Sequence, residues 1–101
     1  MAESGVRVED DGTLWVMYGE IDAAVQARHE DDLQRRAQAA SDQIRIDLTD
    51  VTFMDSGGLR LLYHAATAGE TPPALLGTPR RVRDLLELSG VDGLFQVEDP
   101  T

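Results

Sequence analysis

Apolar residues recur along this chain in two rhythms, alternating over short stretches and spaced three or four apart between them. Leu14-Trp15-Val16-Met17-Tyr18 is apolar on both faces, as a central strand is. Val6 to Glu9 precedes it as a short edge strand, and Asp10-Asp11-Gly12 is an Asp-Gly turn signal that favours a hairpin. Gly19-Glu20-Ile21-Asp22 ends the central strand, with Asp22 placed to cap a helix. That helix is predicted from Ala23 to about Ala40, with Val25, Leu33, Ala37 and Ala40 on a narrow apolar stripe and polar residues elsewhere. Ser41-Asp42 breaks it.

Ile44, Ile46 and Leu48 then alternate with Arg45 and Asp47, the pattern of a strand with one face buried. Thr49 to Asp55 reads as a connection, and Ser56 opens a second helix. Leu59, Leu62, Tyr63 and Ala66 share one apolar face of that helix, which Gly69 stops. Thr71-Pro72-Pro73 forces an extended entry into a short buried strand, Ala74-Leu75-Leu76. Thr78 as N-cap and Pro79 at the first helical position start a third helix, lined by Val82, Leu85 and Leu86 and ended by Ser89-Gly90. Phe95 to Val97 adds a last strand, and Asp99 to Thr101 is expected to fray. The order β-β-α-β-α-β-α-β predicts an α/β fold: a mostly parallel central sheet of about four to five strands, three main helices, and right-handed crossovers. Residues 1–101 are expected to form a single domain.

Composition narrows the chemistry. There are 19 acidic and 9 basic residues, a net charge of −10, and every basic residue is arginine. Without lysine there is no phosphate-loop lysine, no Schiff-base lysine and no receiver-domain lysine. An acidic domain repels phosphate backbones, so no nucleic-acid partner is expected; a basic or mixed protein surface suits it better. The absence of cysteine excludes a disulfide framework and a thiolate metal site. No apolar run approaches the roughly 20 residues that cross a bilayer. Met1-Ala2-Glu3-Ser4-Gly5 lacks the regions of a signal peptide, and a cytoplasmic location is expected with no membrane partner.

Ser56 is the residue with a choice of roles. A hydroxyl at a helix start can cap the helix, and it can be offered to a kinase; the local residues leave both open. Asp55 can orient that hydroxyl or the turn, or serve as a kinase recognition element. Gly57 and Gly58 either permit close approach by a partner or simply permit the turn. Other chemistry fits less well. A nucleophile elbow needs glycine two residues before the serine, where Met54 stands. His64 lies about 80° round the helix from Ser56, a poor place for a general base, and both His64 and His29 read as solvated surface residues. Asp22, Asp47, Asp50 and Asp55 could crowd one sheet edge and hold magnesium, but turn and cap chemistry explains each equally well. No cofactor is expected. Trp15 reads as packing, and Arg80, Arg81 and Arg83 as a solvated face paired with Asp84 or Glu87.

Three ordered stretches resemble the STAS family, the anti-sigma factor antagonists. They are Gly19-Glu20-Ile21-Asp22; Ile46-Asp47-Leu48 with Val51, Phe53 and Met54-Asp55-Ser56; and Leu86-Glu87-Leu88-Ser89-Gly90-Val91 followed by Phe95. The family pattern sets a second small hydroxyl residue after the serine, and Gly57 stands there instead. The resemblance implies a bacterial regulatory protein without catalysis of its own. Its unmodified form would bind an anti-sigma factor that is also a serine kinase, and so free a sigma factor. Phosphorylation at Ser56 would end the binding, and a serine phosphatase would reset it. Asp22, Asp55, Ser56, Gly57 and Gly58 would frame the partner-binding site, on a monomer or weak dimer. The alternative is a STAS-like module that binds a ligand or scaffolds a regulatory assembly with no phosphoswitch.

Overall fold

The computed structural model describes residues 3–98. Met1, Ala2 and the expected frayed end, Asp99 to Thr101, lie outside them. The Asp-Gly signal makes its hairpin: β1 (Gly5–Glu9) pairs antiparallel with β2 (Leu14–Ile21), Glu9 facing Leu14. The turn between them is a short 3-10 turn in which Asp10 and Asp11 take left-handed φ values of 52° and 55°. The Arg45 guanidinium donates to Asp10 at 2.8 Å and ties this turn to the neighbouring strand.

Beyond the hairpin come α1 (Ala23–Ala39), β3 (Arg45–Met54), α2 (Ser56–Ala68), β4 (Ala74–Leu76), α3 (Arg80–Leu88) and β5 (Gln96–Val97). The sheet order is β1-β2-β3-β4-β5, and every pair after the hairpin is parallel. Each crossover thus steps one strand in the same direction. With right-handed connections, that places all three helices on one face. Burial agrees: Trp15, Met17, Ile46, Leu48 and Leu75 are fully buried, while Arg7, Leu14, Val16, Arg45 and Asp47, one step off, are half-buried or exposed. One apolar cluster joins these strand residues to Val25, Leu33 and Ala37 of α1, Leu61, Leu62 and Ala65 of α2, and Val82 and Leu86 of α3. Trp15 is packing, as expected, and its indole N–H donates to the Gly12 carbonyl at 3.0 Å.

Three expectations about the helices and strands need correction. Thr49 to Met54 is strand, not connection. β3 continues along β2 as far as Met54 opposite Ile21, and two register irregularities on the way shift its inward positions to Ile46, Leu48, Val51 and Met54. A strict two-residue alternation therefore stops at Leu48 although the pairing does not. Thr78 does not cap α3: Pro79 is the extended N-cap residue, no side chain caps the helix, and the buried Thr78 hydroxyl has no hydrogen-bond partner among the described residues. The helix starts one residue late because Pro79 keeps a ψ of 152°. The third correction concerns the face α2 buries, and it shapes the site.

Candidate functional site

Two helices begin side by side at the ends of β2 and β3. Asp22 caps α1, its carboxylate accepting from the N–H groups of Ala24 and Val25 at 3.1 Å each. Asp55 caps α2, accepting from the Gly57 N–H at 2.8 Å. The Asp55 N–H in turn donates to the Ile21 carbonyl at 3.3 Å, which fastens one helix start to the other. The cap of α2 is therefore the aspartate, and Ser56 is the first helical residue. Ser56 is exposed, and its hydroxyl has no hydrogen bond to any other described residue. Of the two roles open to it from sequence, capping is already filled by its neighbour. Replacing Asp55 by alanine should lower stability by about 1 kcal/mol, the usual worth of an N-cap. A urea titration showing an unchanged midpoint would contradict this.

Gly57 and Gly58 are buried. A Cβ at Gly57 would sit 3.0 Å from the backbone of Asp22 and Ala23, and one at Gly58 would sit 2.4 Å from the Met54 side chain and 2.8 Å from the Ile21 carbonyl. Both glycines let α2 press against the β2–α1 junction. They set the position of Ser56 and do not themselves face outward.

That close approach also rolls the helix. Its buried line is Gly57, Gly58, Leu61, Leu62 and Ala65, so the expected apolar face of Leu59, Leu62, Tyr63 and Ala66 is corrected. Only Leu62 of that set is in the core; Leu59 and Ala66 are half-buried and Tyr63 is 50% exposed. The displaced residues make a surface. Ser56, Leu59, Arg60 and Tyr63, with Val91 and Phe95 from beyond α3, line a mostly apolar groove of about 260 Å3. Arg60, Tyr63, Val91 and Phe95 had no site role from sequence. Tyr63 inside an otherwise aliphatic stripe was the available signal.

His64 is not solvated, contrary to expectation. Its side chain is 13% exposed, and Nε2 lies 2.9 Å from the Glu30 carboxylate of α1. The same carboxylate accepts from the Arg60 guanidinium, and Gln26 approaches it at 3.4 Å. His29 is also half-buried rather than simply exposed, and desolvation, followed by the Arg28 charge, lowers its pKa. Hydrogen bonds from His64 and then Arg60 hold the Glu30 carboxyl down from the ordinary 4.5 to about 2. A carboxylate depressed on folding stabilises the fold above its unfolded value, and that stabilisation is lost as pH falls through the folded one. Glu30→Gln should therefore lose less stability than wild type on acidification from about pH 5 to about pH 2. Parallel acid unfolding curves for the two proteins would refute this.

Asp47 accepts from the Thr49 N–H at 2.9 Å, a local bond within β3, and Asp50 is exposed. No group of three or more His, Asp and Glu among the described residues is placed to hold a metal ion. No helix among them is long and apolar enough to cross a membrane.

Known proteins resemble this chain in family and in fold. The family model described as "Mlab, STAS domain" matches residues 5–97. The solved structure of the anti-sigma factor antagonist SpoIIAA in its unphosphorylated form superposes with a TM-score of 0.63 at 20% identity, over 95% of this chain and 87% of that one. At that identity the likeness is one of fold. No protein of curated function matches the chain.

Proposed function

The chain belongs to the STAS domain family, and from that premise we propose that it is an anti-sigma factor antagonist controlled by phosphorylation at Ser56. The observation that carries this reading is the unengaged, exposed hydroxyl at the opening of α2, on the rim of an apolar groove. In the unmodified form the groove and the start of α2 dock an anti-sigma factor with serine kinase activity, and a sigma factor is freed. Tyr63 and Leu59 supply apolar contact, while Asp22 and Asp55 hold the two helix starts that shape the surface. The domain performs no chemistry itself: Met54 stands where a nucleophile elbow needs glycine, and His64 is engaged with Glu30. A serine phosphatase restores the binding form, and the cycle runs in a bacterial cytoplasm.

Physical chemistry supports the switch. A helix start leaves backbone N–H groups without intrahelical partners, and its dipole favours negative charge. Phosphate on the first residue of α2 is therefore tolerated by its own fold. A partner packed over Ser56 would instead bury about 1.5 to 2 negative charges beside the Asp55 carboxylate. Incubation with candidate kinases and ATP, followed by intact mass and peptide mapping, should find one phosphate on Ser56 and none on Ser56→Ala.

The groove favours a second reading as well. Its apolar lining would seat a partner whether or not Ser56 is modified, as in a scaffolding module. Under that reading Tyr63→Ala weakens binding and Ser56→Asp does not; the phosphoswitch requires both to weaken it.

A further inference from the structure

Arg60 is placed to respond to what happens at Ser56. It stands four residues further along α2, where side chains are helix neighbours about 5–6 Å apart at Cβ. Side chains on a helix lean toward its N-terminus, so a long arginine at position 60 reaches back over the turn that holds Ser56. Both residues line the same groove. In the unmodified protein the Arg60 guanidinium is held by Glu30 of α1, yet its side chain remains 61% exposed. Glu30 does not depend on it alone, because His64 and Gln26 also donate to that carboxylate.

We propose that Arg60 is the phosphate-receiving residue of this protein: an anion on Ser56 draws its guanidinium from Glu30 to the rim of the groove, where the pair lies across the docking surface. This rests on the reading of Ser56 as the phosphoacceptor. A phosphoserine offers three acceptor oxygens and about 1.5 to 2 charges, against the single charge of Glu30. Arginine meets such a group with two parallel N–H bonds. Glu30 keeps His64 and Gln26 after the exchange, so no carboxylate is stranded. The modification then does more than add charge. It exchanges one ion pair between α1 and α2 for another along α2, and puts a phosphate–guanidinium pair at the mouth of an apolar groove.

The test uses full-length protein carrying phosphoserine at position 56, installed during synthesis so that no kinase is needed. The second ionisation of the phosphate, ordinarily near 6, is followed by 31P NMR in wild type, Arg60→Gln and Glu30→Gln backgrounds. A nearby cation favours the dianion, so the midpoint in wild type should lie about half a unit to one unit below that of Arg60→Gln. Glu30→Gln removes the competitor, and its midpoint should equal or fall below that of wild type. Equal midpoints in wild type and Arg60→Gln would overturn the proposal, as would a higher midpoint in Glu30→Gln. An error in the phosphoacceptor reading would show differently, as absence of phosphate on Ser56 after kinase treatment, with the 31P comparison unaffected.

Discussion

Phosphorylation of Ser56 is expected to weaken binding to the cognate anti-sigma factor by about 100- to 1000-fold without unfolding the protein. The size comes from where the charge falls. Burying it against a partner costs several kcal/mol even when Arg60 pairs with it, because phosphate and guanidinium both lose water, and every ~1.4 kcal/mol is tenfold in affinity. Asp55 stands next to the modified residue, its carboxylate engaged by the Gly57 N–H and unable to supply positive charge. The fold is spared because Ser56 is exposed and at the helix's positive end. Ser56→Ala should bind like wild type. Ser56→Asp, with a single charge, should fall between the two. Titration calorimetry of the three forms against the purified anti-sigma factor measures this, and equal affinities for wild type and Ser56→Asp would defeat the switch.

Gly58→Val is expected to lose about 3 kcal/mol of stability, at the upper end of the usual penalty for an overpacked site. Valine gains a few tenths of a kcal/mol over glycine in helix propensity, too little to offset the crowding. The first added carbon alone would lie 2.8 Å from the Ile21 carbonyl and 2.4 Å from the Met54 side chain. Methionine can yield, but the carbonyl belongs to β2 and also accepts the bond from Asp55 that fastens α2 to α1. The helix must move outward, taking Ser56 with it. Urea unfolding reads the loss directly; a change under about 0.5 kcal/mol would mean that the junction is looser than its geometry.

Much of the fold was legible because its elements carry local signals. The Asp-Gly turn, the Asp22 cap, the Ile44-Ile46-Leu48 alternation and the Ser89-Gly90 stop each act over a few residues, and each appears where expected. The failures came where a tertiary contact overrode a local rule. The second half of β3 hides behind register irregularities that only its pairing with β2 reveals. The buried face of α2 is not legible from sequence because glycine carries no hydrophobic signal, yet Gly57 and Gly58 seat the helix against Ile21, Asp22 and Met54. The same contact explains why Tyr63 is exposed and Leu59 only half-buried, although both are apolar and helically spaced. Glu30, Arg60 and His64 come together from helices about thirty residues apart, and nothing in the spacing of either helix announces the cluster. The place of Ser56 at a helix start was legible from sequence; that its neighbour is the capping residue needed the structure.

The most direct measurement combines modification and release. The protein is loaded with the partner it captures from its own cells, ATP is added, and the free and bound fractions are compared by intact mass and peptide mapping. A single phosphate on Ser56 is expected, confined to the released fraction, with amide spectra that change only around the start of α2. Phosphate at another residue, or modified protein still held by its partner, would contradict it.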